Sequence, residues 1–327
     1  MSDRLDSATV AVLGFGHQGE AQAQNLRDSG VTVVVGARPG AGADRARADR
    51  FEVLDLAAAV RRAQVIAMML PDEAVPGLWE ALAAAAAPDA ALVFAHGFNL
   101  IYSDLAFPAR ADVVLVSPTG PGRVLREAYR RGERLPAYVA AHRDASGAAM
   151  ALAEAYAARI GVAPLWRTTP REETEVDLFG EQVVLCGGLL ALVTAAHETL
   201  VERGYSPEIA YLECVHQLKY LADLLHERGP AGFRAGISGT ALFGAMTRGP
   251  RVVGDSSRAA MKAILEEIRS GAFAREWAAE AARGPGRTAA EIERARTHPI
   301  EEARRRALGP RDGGQDQGKP RKALSKD

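Results

Sequence analysis

The chain has 327 residues, 48% of them hydrophobic, with 40 Lys and Arg against 41 Asp and Glu. That length admits two domains, and the composition excludes a fibrous or disordered chain. A net charge of -1 leaves no electrostatic footprint for nucleic acid or an anionic bilayer, so small-molecule chemistry is the expectation.

From residue 8 to about 168, short β-branched runs alternate with Ala-rich amphipathic segments. TVAVLG, VTVVVGA, VIAMML, ALVFAHG, VVLVSP and PAYVAAH read as strands buried on both faces, the habit of parallel sheets. The alternation predicts an α/β fold, a Rossmann-type doubly wound parallel sheet, over 1–168. After PLWRTT the strand signals stop, and helical pattern covers 172–203, 207–228, 257–270, 274–283 and 287–307, an all-α domain over 169–309. The tail 310–327 is polar, aperiodic and expected to be disordered.

Cys186 and Cys214 both sit in apolar runs and form no CxxC pair, which argues against a disulfide framework or a zinc site and fits a reducing cytoplasm. The first residues, MSDRLDSATVAVLG, show no basic region followed by an apolar core, so no secretory signal is expected. VVLCGGLLALVTAA (183–196) is too short to span a bilayer and is expected as a buried helix, with no membrane partner.

VAVLGFGHQGEAQAQNL sets Gly14, Gly16 and Gly19 as GxGxxG between a strand and a helix. In that context the glycines allow a tight turn and the approach of a pyrophosphate to backbone N–H groups at the helix N-terminus. The cofactor segment is therefore Gly14, Phe15, Gly16, His17, Gln18 and Gly19, with His17 loop filler rather than a catalytic base. After the second strand, in VVVGARPGAGADRAR, Arg38 favours the 2′-phosphate of NADPH, while Asp44 in the same loop favours the ribose diol of NADH. The lean is to NADPH, with NADH possible.

Two helix-spaced pairs carry possible metal chemistry. Asp177 and Glu181 lie four residues apart, as do Glu213 and Gln217. Carboxylates one turn apart point the same way, as a hard cation such as Mg²⁺ requires, although such a pair is more often a solvated helix face.

Over residues 9–308 the chain resembles a short-form (class I) ketol-acid reductoisomerase, as a divergent paralogue. The resemblance is carried by AQNLRDSGVTVVVG, LPDEAVP, FAHGFN, TGPGR, EETEVDLFGEQVVLCGG, ETLVERGYSPEIAYLECVHQLK, GISGTALFG, RGPRVV and FAREW. It implies Mg²⁺-dependent alkyl migration in a 2-acetohydroxy acid followed by hydride transfer from a nicotinamide, in branched-chain amino-acid synthesis. It also implies a knotted helical domain that dimerises and an active site between the domains. Asp177, Glu181 and Glu213 match the family's metal carboxylates, His96 its active-site histidine and Ser238 its substrate-contacting serine.

The match departs from the family at two chemical positions. Gln217 stands where the family has Glu, and Thr119 in SPTGPG stands where it has Lys. Two Mg²⁺ ions about 4 Å apart need excess negative charge, and the amide removes one charge while keeping an oxygen. Losing the lysine removes a fixed positive donor. The expectation is that reduction survives better than isomerisation, with Gln217 a weak neutral ligand or substrate contact. Three readings stay open: the full reaction, reduction of a 2-keto acid alone, and a silent nucleotide-binding paralogue that assembles with a partner.

Overall fold

The computed structural model describes residues 5–284 and 286–309, so the expected tail 310–327 lies outside the described residues. The chain divides into two compact units between Asp177 and Leu178.

The first unit is built on an eight-stranded sheet. Its strands are β1 (Thr9–Leu13), β2 (Thr32–Gly36), β3 (Glu52–Leu54), β4 (Val65–Met68), β5 (Ala91–Phe94), β6 (Asp112–Pro118), β7 (Leu135–Arg143) and β8 (Val162–Arg167). They lie in the order β3-β2-β1-β4-β5-β6-β7-β8. The order turns back between β1 and β4, the crevice where open α/β sheets take ligands.

Alternate residues of each central strand enter opposite cores. Val10, Val12, Val65, Ala67 and Val93 face one layer with Leu26, Tyr156 and Ile160, while Ala11, Leu13, Ile66, Met68 and Leu92 face the other with Val60, Trp79 and Leu82. With both faces covered, a strand position is apolar unless its polar group finds a partner, as Asp112 of β6 does with the Ala145 and Ser146 N–H groups, and this is why the runs read as mostly apolar.

Three expectations about the sheet are corrected. β3 and β8 were not anticipated: β3 is three residues long, and β8 carries Pro164. The sheet is also not wholly parallel, since β7 runs antiparallel to β6. β7 is also only partly buried, and its sense is set by the strand it pairs with, which its own sequence does not state.

The second unit is helical. The helix Pro170–Gly180 passes through a π turn, Glu181–Leu185, into Gly187–Glu202. After a turn, Pro207–Tyr211 passes through a second π turn, Leu212–His216, into Leu218–Gly236, which breaks at Gly229 with φ 64 ahead of Pro230. Gly239–Val252, Asp255–Arg269, Ala272–Arg283, Gly286–Thr297 and Pro299–Leu308 follow. Gly239–Val252 was unforeseen, because three glycines and Pro250 among its residues weaken the helical signal. The single helix expected over 287–307 is two, since Pro299 starts a new helix capped by the His298 ring.

The buried helix expected over 183–196 is also corrected. Val184, Leu185, Leu190 and Leu192 are 52–65% exposed in the chain. With its flanks, the helical run Pro170–Glu202 is long and apolar enough to cross a bilayer by length and composition alone. An apolar run is evidence that something covers it, and among the described residues these four side chains stay exposed.

Candidate active site

The Gly-rich turn sits at the switch point, directly after β1. Gly14 has φ 94, and a Cβ there would come within 2.7 Å of the Met69 carbonyl; one on Gly19 would meet the Gly14 carbonyl at 2.1 Å. These glycines are demanded by the turn and by close helix-to-strand packing. Gly16 differs, because its φ is -85 and a Cβ would meet no protein atom within 4 Å. Neither backbone nor packing asks for glycine at 16, whereas a pyrophosphate lying over the turn would. The helix α1 (His17–Asp28) begins there with no side-chain cap, so its first N–H groups are left for a ligand.

Other residues of the turn have distinct positions. The Phe15 ring is 3% exposed and packs edge-on against Phe51 with centroids 5.6 Å apart, so only its backbone faces the turn's function. His17 is exposed as the first residue of α1. The Gln18 amide donates to the Gly120 carbonyl at 2.9 Å and thereby ties the TGPG loop to the turn. Arg38 is exposed after β2. Asp44 lies not in the loop but within the helix α2 (Ala41–Ala48), paired with Arg47 at 3.1 Å. Sequence reasoning missed Arg45, which donates to the Phe15 carbonyl at 2.6 Å and to Glu20 at 3.1 Å, locking α2 onto the turn.

A second cluster forms where β5 ends. His96 lies two residues past β5, and its side chain is 23% exposed. Its Nδ1 lies 3.3 Å from Glu173 Oε1 and 3.4 Å from Asp177 Oδ2. Glu173, 1% exposed, accepts from the Gly97 N–H at 3.0 Å with its other oxygen. A Cβ on Gly97 would strike Thr174 Oγ at 2.2 Å, so glycine is what lets the helix Pro170–Gly180 come this close.

Burial is the largest influence on the imidazole and pushes its pKa down; the Glu173 hydrogen bond and charge, with Asp72 and Asp177, outweigh it and raise it to about 9. In the metal-free protein the surrounding carboxylates thus favour the imidazolium over the neutral ring. Asp72, after β4, is held above the usual carboxylate range chiefly by burial, against the lowering field of His96. Glu173 was also missed, although it precedes Asp177 and Glu181 at the same four-residue spacing and so shares their helix face.

The remaining candidates sit in simpler surroundings. Glu181 opens the first π turn and Glu213 lies inside the second; such turns recur at functional sites because they re-aim side chains. The Gln217 amide donates to Glu213 Oε2 at 2.5 Å. Ser238 caps the helix Gly239–Val252, accepting from the Ala241 N–H at 3.2 Å, and its own proton can still be donated. The Thr119 hydroxyl donates to the Pro136 carbonyl at 2.9 Å. Among the described residues, no three His, Cys, Asp or Glu side chains of one chain come together as a metal cluster.

Comparison with known proteins decides the family. The acetohydroxy acid isomeroreductase NADPH-binding domain matches residues 4–165, and the ketol-acid reductoisomerase C-terminal domain matches 171–308. The chain belongs to the ketol-acid reductoisomerase family. An NADH-preferring ketol-acid reductoisomerase from an uncultured archean is similar at TM-score 0.91 and 36% identity, covering 94% of this chain and 96% of that one. A semialdehyde dehydrogenase NAD-binding protein from Cupriavidus necator (TM-score 0.63, 19% identity, 83% and 99% covered) shares the fold alone. So does a pyrroline-5-carboxylate reductase from Coxiella burnetii (TM-score 0.59, 14% identity, 81% and 98% covered). As a ketol-acid reductoisomerase family member the protein is an NAD(P)H-dependent oxidoreductase with a Rossmann-like N-terminal part, of a family that acts on small-molecule acetohydroxy acids.

The geometry around His96 yields a titration test. Glu173→Gln removes the hydrogen-bonded charge that favours the imidazolium, so the His96 pKa must fall. In the metal-free protein, NMR titration of the ring should find a midpoint near 9 for wild type and a clearly lower one for E173Q. Equal midpoints would show that Glu173 does not govern the ring.

Proposed function

We propose that this enzyme reduces a 2-acetohydroxy acid, or a related 2-keto acid, with NADPH and Mg²⁺, and that its alkyl-migration step is weakened. The observation that carries this reading is the Gln217 amide hydrogen bonding to Glu213. A glutamate at 217 would add a second negative charge; the amide instead spends a proton on its neighbour and acts as an orienting donor.

The donor set suits the cation. Asp177, Glu181 and Glu213 offer hard carboxylate oxygens, and Asp177 and Glu181 stand one helical turn apart. When bound, Mg²⁺ polarises the substrate's oxygens. The turn at Gly14, Gly16 and Gly19 holds the pyrophosphate, with Gly16 the position over which it passes. Asp177 and Glu173 engage His96 Nδ1, which leaves Nε2 to hold a proton toward water or the oxygen that receives it after hydride transfer. Ser238 donates to a substrate carboxylate or hydroxyl. Thr119 does not replace the family's lysine as a donor, since its hydroxyl proton is spent on Pro136.

For the adenosine half, the Arg47 partner of Asp44 occupies the carboxylate that would favour a ribose diol, whereas Arg38 is exposed to meet a 2′-phosphate. NADPH is therefore the expected donor. The archaeal relative's preference for NADH supports the competing reading.

A second copy of the chain is the proposed partner, in the cytoplasm, without nucleic acid or membrane. The helical unit exposes Ile209, Tyr220, Phe243, Met246 and Val252 at 55–66%, and an open groove of about 620 Å³ lies among Leu225, Phe233, Ile237, Leu242 and Met246. Apolar surface of this extent is an association surface. Charged Glu181 within the Pro170–Glu202 run disfavours lipid as its cover.

Three outcomes follow. With Mg²⁺ and NADPH, 3-hydroxy-3-methyl-2-oxobutanoate should be reduced faster than 2-acetolactate, by about 10-fold or more if a charged group at the reacting oxygens is missing. T119K/Q217E should narrow that gap, and equal wild-type rates on both substrates would mean that the full family reaction stands. KM should be lower for NADPH than for NADH, and the reverse would overturn the role given to Arg38. Sedimentation should find a dimer or larger assembly, and a monomer at micromolar concentration would remove the second copy.

A further inference from the structure

β4 and β5 are neighbours whose ladder pairs Val65–Met68 with Ala91–Phe94. Beyond it both chains turn: β4 through Pro71 into Asp72, and β5 through His96 and Gly97 into the helix Phe98–Tyr102. One side chain joins these turns. Asn99, 1% exposed, donates its amide hydrogens to the Asp72 carboxylate at 2.9 Å and to the Asp72 carbonyl at 3.2 Å. Its Oδ1 accepts from the Ser103 hydroxyl at 2.7 Å. Both donors and the acceptor of the amide are therefore used.

The sheet does not need this contact, because its backbone ladder has already ended. A buried, fully satisfied polar group fixes one geometry where an apolar contact would tolerate several. What it fixes is the His96 turn, three residues upstream of Asn99. Glu173 and Asp177 hold the imidazole from the helix Pro170–Gly180. Asp72 is the one carboxylate in the ring's field that is not on that helix, and it is the one Asn99 grips.

A dinucleotide bound across the switch point lays its nicotinamide half over the carboxyl ends of β4 and β5. We propose that the Asn99–Asp72 clamp is a positioning device that sets the His96 turn against the nicotinamide ring, an inference that rests on the cofactor reading above. Asn99 and Asp72 act through His96 and need touch neither substrate nor cofactor. Loosening the clamp misplaces a proton-bearing group by a fraction of its working distance, which costs turnover more than binding.

The test compares N99A, N99S and the exchanged pair D72N/N99D, in which the amide at 72 donates to a carboxylate at 99 that still accepts from Ser103. kcat and KM are measured on the keto acid that wild type reduces, cofactor Kd by nicotinamide fluorescence, and folding by thermal unfolding. N99A should lower kcat by about 10- to 100-fold, the range expected for misplacement of a positioned group, with cofactor Kd within about twofold of wild type. The exchanged pair, which restores the side-chain hydrogen bond to residue 72 but not the one to its carbonyl, should recover part of the lost kcat. A folded N99A with wild-type kcat overturns the clamp, as does a loss of kcat that tracks loss of cofactor binding and is not recovered by the exchange. If N99A fails to fold, N99S decides by the same criteria. Wild type that binds neither NADPH nor NADH overturns the cofactor reading and the clamp together, whereas a clamp failure in a cofactor-binding wild type leaves that reading standing.

Discussion

The buried Glu173 carboxylate is the contact on which the catalytic edge of the sheet depends. A carboxylate removed from water must find donors or be penalised heavily. Glu173 finds the Gly97 N–H and the His96 ring, both on the turn after β5. That requirement docks the helix Pro170–Gly180 against the sheet edge, and Gly97 is needed because any side chain there would collide with Thr174. Asp177 then falls beside the same imidazole, one turn along the helix. A fold contact and a functional arrangement are thus the same few atoms.

Charge explains why this cluster holds a proton. The imidazole is mostly enclosed, which alone would leave it neutral, but three carboxylates surround it and reverse the outcome. Asp72, held by Asn99, adds its field from the turn after β4, so the acids come from one helix and one strand turn. At the Gly-rich turn the logic is steric: Gly14 and Gly19 satisfy the protein's own packing, and Gly16 leaves space that no protein atom takes up.

The helical unit obeys a different constraint. Its apolar residues are plentiful, yet many stay exposed in one chain, and two π turns interrupt its long helices at Glu181 and Glu213. In the sheet unit each strand is covered by neighbours from its own chain, so composition translates into burial. In the helical unit the same composition states only that cover is required. This is why the expectation of a buried helix over 183–196 went wrong while the strands β1, β2, β4, β5 and β6 were placed well.

Sequence alone determined whatever depends on local period and local chemistry. The GxGxxG turn, the double-sided strands, the helical second half and the histidine at the end of a strand were legible, because each is written in neighbouring residues. Glu173 was legible in principle, as the first of three acids spaced by four. Only the tertiary structure decided the strand order and the reversed sense of β7, since these depend on partners distant in the chain. It likewise decided that Arg45 locks the Gly-rich turn, that Arg47 occupies Asp44, and that Asn99 reaches Asp72 across 27 residues. Such contacts join side chains that sequence spacing does not relate, and geometry alone brings them within bonding distance.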